Sequence, residues 1–326
     1  MIHIKNLTKI YKVPKKNKKK TLKNFLFPSY EDKIAVDNIS FDIEEGEIVG
    51  FVGTNGAGKT TTIKMLSGIL TPTSGEIIAN GYIPYKNRDK LSMDIAVIMG
   101  QKSVMFYDIP VIESFKFYKD VYSISTNDYK KRMELFLEKL ELNDILNIPV
   151  RKLSLGQRMR CEIAVSLLHN PKILLLDEPT IGLDIIAKQK MLDFFTYLNK
   201  NFNTTIFLTT HDIADIDKIC KRIIIIDKGI IRYDGAIKEL KDRDKYKTIE
   251  IMHEKDFNLD KVLDGLKKEV LVSQEYKTTI KVIKQDVGNV VNNLINNPKI
   301  VDFNINTLSL ERVLQEIYLN DQGELL

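Results

Sequence analysis

The residues from Gly53 to Thr60 have types and a spacing that suit phosphate chemistry. The run reads Gly-Thr-Asn-Gly-Ala-Gly-Lys-Thr, and it joins an apolar segment to a helix-like one, as a phosphate-binding loop requires. Its glycines allow a tight turn in which backbone N–H groups point at a β-phosphate, at the positive end of the following helix. Lys59 would reach the β- and γ-phosphates, and the Thr60 hydroxyl would ligate Mg²⁺, with Thr61 nearby. The sequence predicts nucleotide binding here; a plain glycine-rich turn is the structural alternative.

Two adjacent carboxylates follow an apolar run that reads as a buried strand, Ile173 to Leu176. Asp177 and Glu178 would then lie at the sheet edge where ligands of open α/β folds bind. Asp177 would hold the Mg²⁺ shell, and Glu178 would polarise the attacking water as a general base. A polar turn after a core strand is the alternative, and the loop at Gly53 favours the catalytic interpretation.

A third polar segment, Arg151–Arg158, opens a helix with Ser154 and Gly156 at its start. Exposed N–H groups at such an end can bind an anion. The residues by themselves leave two interpretations open, an ordinary capped helix start and an anion site.

Alternating strand-like and helix-like segments must position these residues. Apolar runs at Ile48–Val52, Thr205–Leu208 and Ile223–Ile226 predict buried strands, while the period between Val111 and Asn170 is helical. This order predicts an α/β fold with a mostly parallel sheet and an inserted helical lobe.

The segment Leu153–Gln157 resembles Leu-Ser-Gly-Gly-Gln, the signature of the ABC ATPases, and other family motifs occur in family order. Gln101 resembles the Q-loop glutamine, and Gly182–Asp184 is similar to the D-loop. His211 resembles the switch histidine, and Tyr11 the aromatic residue that stacks on adenine. Without the resemblance, His211 reads as a helix cap and Tyr11 as a packing residue.

The resemblance covers residues 1–240 and implies a P-loop NTPase core with an antiparallel β subdomain and a helical lobe at about 111–170. It implies ATP and Mg²⁺ as cofactors. The implied catalytic residues are Glu178, His211, Gln101 and Lys59. The implied metal ligands are Thr60, Gln101 and Asp177. The implied nucleotide contacts are Tyr11, Gly53, Thr54, Asn55, Gly56, Ala57, Gly58, Lys59, Thr60, Thr61, Ser154, Gly156, Gln157 and Asp184.

Two features depart from the usual pattern. Leu155 stands where the signature has a glycine, which bears on how closely the backbone approaches the γ-phosphate; Ser154 and Gly156 remain, so we expect a working site. The insertion from Pro14 to Lys33 and the C-terminal tail resemble a bacterial exporter and drug-resistance subfamily whose permease is a separate protein.

The tail from residue 241 to 326 predicts a second, small α+β domain after the charged break Lys241–Lys245. Thr248–Ile251 and Thr279–Val282 alternate like strands. A final amphipathic helix, with Ser309 as its N-cap, would carry Leu310, Val313, Leu314 and Ile317. This domain would either stabilise the fold or brace a dimer or a permease.

Composition narrows the partners. The chain has 326 residues and a net charge of +5, which is too balanced to indicate nucleic acid. The basic tract Lys15–Lys20 would be a solvated loop or a contact with anionic lipid headgroups. No apolar run is long enough to span a bilayer, and Met1–Lys5 does not resemble a signal peptide. Cys161 and Cys220 predict buried thiols in a reducing cytosol.

The resemblance also implies a mechanism and its partners. ATP would lie between two head-to-tail subunits, a second copy or a paralogue, with Lys59 of one facing Ser154 of the other. Gln101 would pass closure to integral-membrane permease subunits through the segment Lys102–Tyr118. The expected place is the cytoplasmic face of the membrane, as a peripheral subunit. The alternative is a non-transport ABC ATPase that acts on ribosomes, DNA or cofactor assembly.

Overall fold

The structure is a computed structural model that describes residues 1–15, 29–99, 103–242, 246–306 and 310. Gln101, most of the lysine tract and the final helix beyond Leu310 therefore lie outside the described residues. The chain divides into two compact units, Met1–Asp234 and Gly235–Leu326.

Strands alternate with helices along both units. The strands are β1 Ile2–Pro14, β2 Tyr30–Ile43, β3 Ile48–Gly53, β4 Ser74–Ala79, β5 Ile95–Met99, β6 Ile173–Asp177, β7 Thr205–Thr209, β8 Arg222–Asp227, β9 Ile230–Ala236, β10 Tyr246–His253, β11 Lys268–Ser273, β12 Lys277–Ile283 and β13 Ile300–Asn306. The helices are α1 Lys59–Leu66, α2 Arg88–Leu91, α3 Val111–Val121, α4 Thr126–Lys139, α5 Leu155–Ser166, α6 Ile185–Phe202, α7 Ile213–Ile219, α8 Ile237–Asp242, α9 Leu259–Val262 and α10 Val287–Ile295.

The first unit is built on a mostly parallel sheet. In the described residues, six strands follow the order β5-β6-β7-β3-β8-β9, and the pairs β5/β6, β6/β7, β7/β3 and β3/β8 are parallel. Parallel strands are covered on both faces, which explains why Ile173–Leu176 and Ile223–Ile226 are continuous apolar runs. The α/β fold predicted from the alternation of segments is confirmed.

A second, antiparallel sheet in the order β2-β1-β4 packs against the first. Phe41 on β2 contacts Phe51 on β3 and Phe207 on β7, with ring centroids 5.9 Å and 6.2 Å apart. The same core holds α1 through Ile63, which is fully buried. This packing fixes the helix that starts at the glycine-rich loop.

The alternation of apolar and polar residues predicts a first strand over Ile2–Leu7, but the β1–β2 pairing extends further along the chain. β1 continues to Pro14, which pairs with Tyr30, and Tyr11 pairs with Lys33. Within the predicted insertion, Pro14 and Tyr30–Lys33 therefore lie in strands, whereas Lys15 and Ser29 do not. Alternation ends early because register shifts between Ile4 and Ile10 interrupt the two-residue period.

Helices α3, α4 and α5 lie between β5 and β6 in the chain, and we call this inserted segment the helical part of the first unit. Ser125 caps α4 by accepting a hydrogen bond from the N–H of Asp128 (3.1 Å). Both cysteines are buried, as predicted, and burial raises the pKa of the Cys161 thiol to about 12. Among the described residues, no helix has the length and apolar character needed to cross a bilayer.

The second unit contains an antiparallel sheet in the order β11-β12-β10-β13. With α9 and α10, its chain order is the βαββαβ of ferredoxin-like folds. Its core joins Ile249, Ile251 and Ile280 of the sheet to Val290 and Leu294 of α10. Helix α10 therefore packs against one face of this sheet.

Candidate nucleotide-binding site

The glycine-rich loop positions Lys59 at the start of α1. Gly58 precedes the helix with φ 113°, and a Cβ there would lie 2.6 Å from the carbonyl oxygen of Ala35, so only glycine fits. The Lys59 ammonium donates to the carbonyl oxygens of Gly53 (2.7 Å) and Thr54 (3.3 Å). Burial lowers the pKa of Lys59, while the carboxylates of Glu178 and Asp177 act in the opposite direction.

Thr60 and Asp177 meet at the carboxyl end of β6. The Thr60 hydroxyl donates to Asp177 Oδ2 at 3.0 Å. The Thr209 hydroxyl, at the end of the neighbouring β7, donates to Asp177 Oδ1 at 2.7 Å. Hydroxyl and carboxylate oxygens are the donors that Mg²⁺ prefers, so this pair fits the predicted ion.

Thr209 was not predicted from the sequence, although its position offered a signal. It is the last residue of a parallel strand, two positions before His211, and side chains at such strand ends share one edge of the sheet. Its hydroxyl holds one oxygen of Asp177 and leaves the other facing Thr60.

Glu178 and His211 form the second polar pair. His211 Nδ1 lies 2.6 Å from Glu178 Oε2. Glu178 has φ 55°, in the left-handed region, and its N–H donates to the carbonyl oxygen of Thr209 at 3.0 Å. Residues other than glycine are uncommon in this region and are associated with functional sites. The turn directs the Glu178 carboxylate to His211 rather than to Asp177.

These residues line one open pocket of about 520 Å³. The lining residues are Asn55, Gly56, Gly58, Lys59, Thr60, Thr61, Glu178, Ile181 and His211. In the described residues no group of three or more His, Cys, Asp or Glu side chains is placed to bind a metal. Thr60 and Asp177 would hold a magnesium ion here, and in phosphate-transfer sites Mg²⁺ takes its other ligands mostly from phosphate and water.

The signature residues are not among those that line the pocket. Ser154 caps α5 in a capping box: its Oγ accepts from the N–H of Gln157 (3.2 Å), and the Gln157 side chain accepts from the N–H of Ser154 (2.9 Å). Leu155 is half-exposed and lies close to Gly182. A Cβ added to Gly182 would be 2.7 Å from Leu155 Cδ2. The signature thus packs beside the Gly182–Asp184 segment of its own chain.

Five further predicted nucleotide contacts also lie outside the pocket lining: Gly53, Thr54 and Ala57 of the loop, Asp184 and Tyr11. Asp184 caps α6 by accepting from the N–H of Ala187 at 2.8 Å. Tyr11 lies on β1, where the Lys9 ammonium is 5.5 Å from its ring centroid. The structure therefore places Tyr11 on the antiparallel sheet and Asp184 at a helix start.

A polar network beside the Glu178–His211 pair also went unpredicted. Asp215 is 1% exposed; its carboxylate accepts from the Thr180 hydroxyl (2.7 Å) and pairs with the Lys188 ammonium (2.9 Å). Lys188 pairs with Asp212 as well, next to His211. The network connects the residues after Glu178, the residues after His211 and helix α6.

Comparison with known proteins finds relatives of this chain. Residues 36–181 match the family model described as ABC transporter. The ABC transporter ATP-binding protein NatA of Bacillus subtilis is 31% identical over 211 residues, which are 65% of this chain and 85% of NatA. The rat cholesterol transporter ABCA5 is 35% identical over 221 residues, but these are 68% of this chain and only 14% of ABCA5.

A solved structure shares the fold. The dimeric ATP-binding cassette MJ0796, in a post-hydrolysis state bound to ADP and Pi, superimposes with a TM-score of 0.61 and 27% identity. The match covers 73% of this chain and 99% of that one. Together with the pocket at Lys59 and the carboxylates after β6, these similarities assign the chain to the ABC transporter family, as an ATP-binding protein and an ATPase.

Proposed function

We propose that the chain is the motor subunit of an ABC exporter, which binds Mg-ATP, closes as a head-to-tail dimer and drives a separate permease at the cytoplasmic face of a membrane. One observation carries the proposal. Lys59, Glu178 and His211 share a pocket, whereas Ser154, at the end of α5, is not part of its lining. In the proposed dimer, the start of α5 in a second chain supplies Ser154 to this pocket.

A two-fold dimer of identical chains would form two equivalent sites. Ser154 presents a helix N-terminus, and such an end attracts the negative charge of a γ-phosphate. Leu155, Ile181, Ile185 and Ile186 are exposed apolar side chains on the segments beside it. MJ0796, which is dimeric with ADP and Pi, supports the same arrangement. ATP is then the contact that holds the two chains together.

Hydrolysis follows from the groups in the pocket. Lys59 neutralises the β- and γ-phosphates, and Glu178 accepts the proton of the water that attacks the γ-phosphorus as ADP leaves. His211 positions the Glu178 carboxylate through the 2.6 Å contact. Thr60 and Asp177 would hold Mg²⁺, which when bound would neutralise part of the phosphate charge.

The permease would dock on the helical part of the first unit. Phe106, Tyr107, Phe117 and Val121 are exposed there, between 40% and 60%. A groove of about 220 Å³ lies nearby, between Ile69 and Tyr122. Exposed apolar patches mark protein interaction sites. The export direction rests on the resemblance of the insertion and the tail to exporter ATPases.

The binding step is tested with Lys59→Ala and by removing the metal. We expect Lys59→Ala to weaken ATP binding at least about tenfold, because a charge-assisted contact to phosphate is lost. Chelation of Mg²⁺ should abolish hydrolysis. Lys64→Ala, on the same helix but outside the pocket lining, is the control and should bind ATP as the parent does. Unchanged titration curves for Lys59→Ala would contradict the assignment.

A further inference from the structure

Glu162 is a buried acidic side chain that the proposed mechanism does not use. It is 5% exposed and lies on α5, about two turns beyond the Ser154 cap. Burial raises the pKa of its carboxyl group, and the hydrogen bonds that it accepts act against that rise. Buried carboxyl groups are rare unless they are paired or hydrogen-bonded, so its partners indicate its role.

The partners of Glu162 belong to the segment that leads from β5 toward α3. One carboxylate oxygen accepts a hydrogen bond from the Ser103 hydroxyl, and the other accepts from the N–H of Val104 at 3.0 Å. Ser103 Oγ in turn accepts from the N–H of Met105 at 3.2 Å. Glu162 of α5 therefore bonds to Ser103 and Val104 directly, and it is linked to Met105 through Ser103.

The same segment is bonded to α3. The Tyr118 hydroxyl donates to the carbonyl oxygen of Val104 at 3.0 Å, and the fully buried Ser114 accepts from the N–H of Phe106 at 3.1 Å. Helix α3 carries Phe117 and Val121, which are exposed. A continuous set of hydrogen bonds thus runs from α5 through Glu162 to α3.

An aliphatic side chain at position 162 could be buried without leaving a polar group unpaired. Glu162 instead needs its donors, because an unpaired buried carboxyl group is strongly unfavourable. The contact is consequently specific for one placement of Ser103 and Val104: a displaced segment would leave both the carboxylate and the Val104 N–H without partners.

We propose that Glu162 is a positioning residue that ties the Ser103–Met105 segment, and with it α3, to the helix that begins at Ser154. This inference rests on the proposed function, in which Ser154 meets the ATP of a second chain and α3 faces the permease. Through Glu162, closure at one end of α5 is linked to the position of α3.

Hydrogen exchange of the Val104 amide tests the contact in the full-length chain. Glu162→Ala removes the acceptor, and we expect exchange at Val104 to become at least about tenfold faster, as for loss of one hydrogen bond to a charged group. Glu162→Gln keeps an acceptor oxygen and should restore slow exchange. Glu134→Ala, an exposed acid on α4, is the control and should leave Val104 unchanged.

Dimer formation tests the consequence. In a Glu178→Gln background, Glu162→Ala should raise the ATP concentration for half-maximal dimerisation about tenfold, because the Ser103–Met105 segment and α3 are no longer held to α5 before closure. ADP binding to the single chain should stay within about twofold, since the pocket at Lys59 is separate. Glu162→Gln should dimerise like its parent.

Each outcome decides the proposal. Parental exchange at Val104 or parental dimerisation in Glu162→Ala would overturn it. If Glu162→Ala does not fold, Ser103→Ala, which removes a donor at an exposed residue, must show the same two effects in smaller measure, and parental values would overturn the proposal. A Glu178→Gln parent that never dimerises contradicts the proposed dimer instead, and the exchange at Val104 still decides the contact itself.

Discussion

The pocket at the end of β6 and the helix start at Ser154 both contain residues predicted to contact ATP, but their polar side chains are arranged differently. At β6, residues from three parts of the chain converge. Lys59, Thr60, Asp177 and His211 are joined by contacts of 2.6–3.3 Å to one another, to the loop or to Glu178. At Ser154, the polar groups bond only within the first turn of their own helix.

This difference separates what one chain does from what two chains do. The β6 pocket has a cation for phosphate, oxygen donors for a metal and a general base, which are the groups that nucleotide binding requires. The start of α5 at Ser154 has free-ended helix N–H groups, and Ser154 is not part of the β6 pocket lining. Binding is therefore expected of the single chain, and hydrolysis of the closed pair.

The largest expected effect is a loss of ATP hydrolysis in the β6 pocket while ATP binding is retained. Glu178→Gln should lower the rate of ATP hydrolysis by about 10² to 10⁴, the range for a positioned general base, with ATP affinity within about threefold of the parent. Steady-state phosphate release and a binding titration measure the two quantities. Glu134→Gln, on the exposed surface of α4, should keep the full rate. Undiminished turnover in Glu178→Gln would exclude Glu178 as the base.

A smaller effect is expected on the stability that the Lys188–Asp215 ion pair gives to the residues beside the pocket. Lys188→Met leaves the carboxylate of Asp215, which is 1% exposed, without its cation, and should lower the free energy of unfolding by about 3 kcal/mol. Lys116→Met is the matched control, because its partner Glu113 and Lys116 itself are both exposed; it should change stability by less than about 0.5 kcal/mol. Denaturant titration compares them, and equal losses would contradict the supporting role.

The smallest expected effect comes from removing the second unit, which contains neither the β6 pocket nor the helix start at Ser154. All described site residues belong to the first unit, so a chain that ends after Leu240 should bind ATP within about threefold of the full chain. Dimer stability or transport should change instead, if the second unit braces a partner. A truncated chain that is folded yet cannot bind ATP would show that the second unit contributes to the pocket.

The elements of the core and most of the pocket followed directly from the sequence. The helix predicted to start at Lys59 is α1, and the strand predicted before Asp177 is β6, because glycines and wholly apolar runs act locally. The roles assigned to the site residues remain predictions. The same holds for the catalytic and metal-binding roles of Gln101, which lies outside the described residues.

Contacts between distant segments could not be predicted in this way. Thr209 meets Asp177 only because β6 and β7 are neighbours, and Lys188 meets Asp215 only because α6 packs against α7. Strand order and helix packing are set by the whole core rather than by local pattern. The continuation of β1 to Pro14 was missed for a related reason, since bulges erase the alternation that marks a strand.

The most direct test of the two-chain site is the mass of the isolated protein in light scattering, with Mg-ATP and the Glu178→Gln substitution that retains the nucleotide. We expect a shift from one chain to two on addition of ATP, and we expect Ser154→Arg to block it. Ser125→Arg is the matched control, because Ser125 caps α4 in the same way but lies outside the proposed interface. An ATP-dependent dimer that persists in Ser154→Arg, or a parent that stays a single chain, would contradict the composite site.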